Sequence, residues 1–110
     1  MITFHDFKET ELSEIERQDA IIEKVNAKLG CIAIPNEEHT RELILLYMNE
    51  VMHMSRHYDD NNMLFWFDNL GISFSLADDV WTIEATRVIS YDINEDRAMV
   101  VVDKIVNAFK

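Results

Sequence analysis

Glycine and proline are nearly missing: two glycines and one proline occur in 110 residues. Long irregular loops are therefore not expected, and most of the chain should lie in helices and strands. With only Gly30 and Gly71 available, neither a phosphate-cradling loop nor a dinucleotide-binding fingerprint can be built. The single cysteine, Cys31, excludes an intrachain disulfide. It sits in the apolar run Gly30-Cys31-Ile32-Ala33-Ile34, a setting that predicts a buried, inert thiol. No apolar run approaches the roughly 20 residues needed to cross a bilayer. Met1-Ile2-Thr3-Phe4-His5-Asp6 lacks the basic-then-apolar order of a secretion signal, so a cytoplasmic protein is expected.

Basic side chains are the other shortage, with 10 Lys and Arg against 21 Asp and Glu and a net charge of -11. The imbalance peaks between Asp59 and Asp92, where Asp59, Asp60, Asp68, Asp78, Asp79, Glu84 and Asp92 face Arg87 alone. Such a surface repels phosphate backbones and anionic lipid, which are bound by neutralising phosphates with Lys and Arg. Direct nucleic-acid or membrane binding is disfavoured; attraction of a basic protein is favoured.

What is present suffices for a core. Apolar residues make up 48% of the chain. Area scaling for a 12.9 kDa chain gives about 6,300 Å² folded against about 18,700 Å² unfolded, so two-thirds of the surface can be buried in a single domain over residues 1–110. Leu12, Ile15, Ile22, Val25 and Leu29 recur at helical spacing over 11–29, with Thr10 as the expected N-cap, acids near the start, Lys24 and Lys28 near the end, and Gly30 as a left-handed stop. Cys31–Ile34 reads as a short extended segment. Asn36 is the expected N-cap of a second helix, whose stripe is Leu43, Tyr47, Val51 and Met54, widened by Ile44 and Leu46.

Met63-Leu64-Phe65-Trp66-Phe67 is apolar on both alternating faces, so strand and helix both fit over 60–70; its shortness and aromatic content favour strand. Ile72–Leu76 alternates as a strand, Asp78-Asp79 marks a tight turn, and Val80–Tyr91 is β-prone. Asn94 caps a third helix with Ala98, Val101, Val102, Ile105 and Phe109 on one stripe. The expected fold is α+β: a small antiparallel meander of about three strands packed against three helices in the order α-α-β-β-β-α, with the helices on one sheet face.

Catalytic chemistry finds little support. Glu50 and His53 have Glu-x-x-His spacing, and His57 follows four residues later, which on a helix gathers them on one face. No second Glu-x-x-His exists to complete a two-metal site, and Met54 stands where a zinc protease needs Glu. No serine lies in a Gly-x-Ser-x-Gly elbow. Neither an enzyme nor a cofactor is expected. The aromatics Phe65, Trp66, Phe67, Phe74, Trp81 and Tyr91 lie in or beside the acidic stretch, and most of them read as core. Trp66 is the exception, a candidate for the open side of the sheet.

The leading expectation is thus an inhibitor of a basic protein, such as an immunity or antitoxin protein neutralising a nuclease. A viral anti-defence protein mimicking nucleic acid is a variant of the same idea. The partner would be met by Asp59, Asp60, Trp66, Asp68, Asp78, Asp79 and Glu84. Two alternatives come from other classes: an adaptor oligomerising through the two-faced strand, although oligomerisation is not otherwise indicated, and a metal enzyme at Glu50, His53 and His57.

Overall fold

The computed structural model describes residues 4–52, 55–67, 70–87 and 93–110, with side chains over 14–50, 59–67, 70–86 and 93–110. Its elements are α1 (Phe4–Leu29), β1 (Ala33–Pro35), α2 (Thr40–Met52), β2 (Ser55–Tyr58), β3 (Asn62–Phe67), β4 (Leu70–Ala77), β5 (Val80–Arg87) and α3 (Glu95–Phe109). The fold is α+β, as the sequence predicts, and 63–67 is a strand. The expected three-strand meander is β3-β4-β5. It is widened by β2 on one side and the short β1 on the other, giving an antiparallel sheet in the order β1-β5-β4-β3-β2.

Register explains why the sheet has one apolar face. Met63 pairs with Phe74 and Phe74 with Ile83; Phe65 pairs with Ile72 and Ile72 with Ala85; Leu76 pairs with Trp81 and Trp81 with Ile34. Side chains directly opposite one another share a face, so this row becomes one apolar surface. Met63, Phe65, Ile72, Phe74, Trp81, Ile83 and Ala85 are all buried there. The helices bury Ile21, Val25 and Leu29 of α1, Ile44 and Met48 of α2, and Ala98, Val101, Val102 and Ile105 of α3 in the same core.

Several local details differ from the sequence reading. α1 spans Phe4–Leu29, so Thr10 lies inside the helix rather than at its start; no glycine or proline between Phe4 and Thr10 breaks a helix. Gly30 is not left-handed. Its amide donates to the Asn26 carbonyl at 2.8 Å, and an added Cβ would meet that oxygen at 2.9 Å. Glycine is needed there for close approach rather than for a positive φ. Cys31 is exposed, because Ile32 takes the inward position and its neighbours point out. α2 starts at Thr40 rather than after Asn36, and its inward stripe is Ile44 and Met48, leaving Leu43 and Leu46 exposed. α3 is as expected: Asn94 accepts from the Arg97 amide at 3.1 Å, and Glu95 and Asp96 fill the first turn.

Two side chains of α1 do structural work that hydrophobic patterning does not signal. Gln18 is fully buried and its Oε1 accepts from the Ile93 amide at 2.9 Å, fixing the entry to α3. Asn26 serves the edge of β5. β1 pairs only with residues 80–82, so it gives Ala85 no partner on the outer side of β5. Asn26 supplies both bonds, Oδ1 accepting from Ala85 N–H at 2.7 Å and Nδ2 donating to its carbonyl at 3.0 Å. Lys24–Glu95 and Lys28–Asp103, each 2.9 Å, join α1 to α3 across the surface.

Replacing Asn26 by Ala leaves a backbone donor and an acceptor without these bonds. The expected loss is about 2 kcal/mol, measured by urea denaturation. An exposed-site control, Ala27→Ser, is expected to stay within about 0.5 kcal/mol. Equal stability of the two variants would show that the bonds to Ala85 contribute nothing.

Candidate functional site

Connectivity brings the acidic turns together. In a meander each turn reverses the chain, so turns separated by two strands lie at the same end of the sheet. The β2–β3 turn, with Asp59 and Asp60, and the β4–β5 turn, with Asp78 and Asp79, are related in this way. The Leu76 amide donates to the Asn61 carbonyl at 2.8 Å, tying the first turn to the end of β4. Asn36 extends the assembly to a third segment. Its amide donates to the Asp79 carbonyl at 3.0 Å, and its Nδ2 donates to Asp79 Oδ1 at 3.2 Å. Its Oδ1 accepts from Nε1 of the buried Trp81 at 3.1 Å, which fastens this corner to the core. Glu37 and Glu38 follow directly, both exposed.

Local chemistry shapes both turns. Asp59 Oδ1 accepts from the Asn61 amide at 2.8 Å, a side-chain turn of the kind short acids form readily. Arg41 Nη2 donates to the Asp59 carbonyl at 3.1 Å, bracing the turn from α2. Asp78 and Asp79 form the two-residue loop between the paired Ala77 and Val80, with φ of 52° and 64°. Two successive left-handed residues are the geometry that hairpins prefer, and it is met most cheaply by Asn-Gly. This loop instead carries two carboxylates. Among the described residues no Lys or Arg pairs with Asp60, Asp78, Asp79 or Glu84.

The remaining residues singled out from sequence divide. Glu84 is exposed on the face of the sheet away from the helices, level with Ser73 and Leu64 rather than at the acidic end. Trp66 lies on that same face, opposite Gly71 and two pairs further from the acidic turns. It is half-buried, and its Nε1 is enclosed without a hydrogen-bond partner among the described residues. Phe65, Phe74 and Trp81 are core, while Phe67 is half-buried under the Arg97 guanidinium, 5.5 Å from the ring centroid. Asp68, Tyr91 and Asp92 lie outside the described residues.

The proposed ligand set of the second helix does not assemble on one face. α2 ends at Met52 and His57 belongs to β2, in register with Leu64, so helical spacing does not relate it to Glu50; His53 is outside the described residues. Among the described residues no helix is long and apolar enough to cross a membrane.

Asn36, Glu37 and Arg41 were missed by sequence reasoning. The parity of a meander could have joined the two aspartate turns, but nothing local announces that Asn36 turns away from helix capping to bind Asp79. The structure thus defines an α+β fold whose helices cover one face of an antiparallel sheet and whose two aspartate turns meet at one end of it. Comparison with protein-family profiles, curated proteins and solved structures returned no match.

Relaxing the left-handed loop with Asp78→Asn/Asp79→Gly is expected to raise stability by about 0.5–1 kcal/mol in thermal or urea unfolding. A loss of stability would mean that the bond from Asn36 to the Asp79 carboxylate outweighs the backbone strain.

Proposed function

We propose that this protein is an acidic protein-binding inhibitor, of the immunity or antitoxin kind. It neutralises a basic nuclease or another nucleic-acid-binding protein by occupying that partner's cationic site. The observation that carries this reading is the convergence of Asp59, Asp60, Asp78, Asp79, Glu37 and Glu38 from three chain segments onto one end of the sheet. Carboxylates carried on turns whose backbone is braced can replace phosphates in a cationic groove. The left-handed Asp78-Asp79 loop supports the same reading, since strain kept at a surface turn is a pointer to function. In this reading the protein acts stoichiometrically in the cytoplasm, without catalysis or a cofactor. A viral protein that blocks a host nucleic-acid-binding factor would use the same surface.

The adaptor reading is less well supported. It needs an exposed apolar face on β3, and Leu64 and Trp66, the side chains of that strand on the open side of the sheet, are half-buried.

Asp60 and Asp78 suit a test, because neither carboxylate holds a described hydrogen bond within the fold. With a basic partner obtained by co-purification, Asp60→Asn/Asp78→Asn is expected to weaken affinity by about tenfold or more and to flatten its salt dependence. Wild-type affinity that stays constant from low to high salt would rule out the electrostatic mechanism.

A further inference from the structure

We infer that the groove between α2, β1 and the end of α3 seats the apolar anchor of a cationic partner segment, a Leu-, Met- or Phe-type side chain flanked by Lys or Arg. This rests on the reading of the protein as a binder of a basic partner and adds which surface supplies its apolar contact. The groove has a volume of about 420 Å³, and Ile34, Pro35, Leu43, Tyr47, Ala108 and Phe109 give it an apolar lining. That volume falls in the range of sites that enclose a small ligand or a large side chain. Its floor is fixed to the core. Phe109 meets Tyr47 edge-on at 5.2 Å between centroids and Phe74 at 5.7 Å, and Phe74 meets Phe65 at 5.7 Å. The Tyr47 hydroxyl also donates to the Lys104 carbonyl at 3.0 Å, locking α2 to α3. A site built this way loses little freedom when filled.

The lip is apolar and open. Leu43 of α2 lines the groove and is 61% exposed, although Ile44 and Met48 of the same helix are buried. An exposed leucine is ordinary on a protein surface; one that also lines a preformed groove offers an incoming apolar side chain a contact at its mouth.

Charge selects the occupant. Glu37 is the single charged residue in the lining, and Glu38, next to it in the chain, is exposed. The last turn of α3, which supplies Ala108 and Phe109, contains no basic residue, while Lys110 caps that end and offsets the negative pole of the helix, so the acidic character of the rim comes from the carboxylates. Lys104 and Lys110 do not line the groove. Through Asn36 the groove adjoins Asp79 and the acidic turns. An apolar floor with a negative rim is complementary to an apolar-basic segment. It is unfavourable to a second copy of this chain, whose net charge is -11 and whose identical rim would face it.

The test is an amide-resolved NMR titration with a synthetic amphipathic helical peptide carrying leucines on one face and lysines on the other. Two controls replace its leucines by serine or its lysines by glutamate. The expected result is saturable shifts at Ile34, Leu43, Ala108 and Phe109. Affinity should fall at least about tenfold with either control peptide and with Leu43→Ser, whose exposed position spares the fold. Circular dichroism checks that the variant is folded. A serine–lysine peptide that binds equally well, with shifts confined to the two aspartate turns, would overturn the groove while leaving the acidic inhibitor reading intact. Groove binding of the leucine–glutamate peptide at equal strength, no binding by any peptide, or self-association lost in Leu43→Ser would each overturn it as well.

Discussion

Antiparallel register across β3, β4 and β5 is the constraint on which the rest of the molecule depends. Because Met63, Phe74 and Ile83 stand in one row and Phe65, Ile72 and Ala85 in the next, one face of the sheet is apolar and must be covered. The other face is left with Ser73, Ser75, Thr82, Glu84 and Thr86 beside Leu64 and Trp66. A slip of one residue would exchange these sets and bury the serines. All three helices therefore pack on the same side, and two polar side chains of α1 bond backbone groups that strand pairing and helix leave open. Asn26 closes the edge of β5 at Ala85, and Gln18 holds the chain as it enters α3.

The same register assembles the acidic surface. Turns two strands apart share an end of the sheet, so Asp59-Asp60 and Asp78-Asp79 become neighbours although nearly twenty residues of sequence lie between them. Asn36 then draws in Glu37 and Glu38 while holding the indole of Trp81. Repulsion within the cluster is tolerated because backbone bonds, rather than the carboxylates alone, hold the turns. A hairpin loop that Asn-Gly would close with less strain carries two charges instead. That is the kind of local sacrifice found where a surface is used.

Much of this organisation was legible in the sequence. Periodicity led correctly to the strand alternation of 72–76 and the α3 stripe with its Asn94 cap, while shortness and aromatic content led to the strand over 63–67. Errors arose where a tertiary partner outweighs a local preference. Asn36 has the chemistry of a helix cap, yet Asp79 and Trp81 take its side chain. Gly30 has the look of a left-handed stop, yet it serves close approach to Asn26. Leu43 fits a helical stripe, but α2 is rotated so that Ile44 and Met48 meet the sheet. The clustering of acids in sequence was visible; that Glu84 would leave the cluster for the open face follows only from strand register.

The central claim is that a cationic partner is met at the acidic end of the sheet. Carbodiimide labelling of surface carboxyls, read residue by residue in the free protein and in its complex with a co-purifying basic protein, tests it most directly. The account predicts protection of Asp60, Asp78, Asp79 and Glu37, with Glu16 and Glu23 on α1 labelled as in the free protein. Protection concentrated on α1 or at Glu84, with the two aspartate turns still fully labelled in the complex, would contradict it.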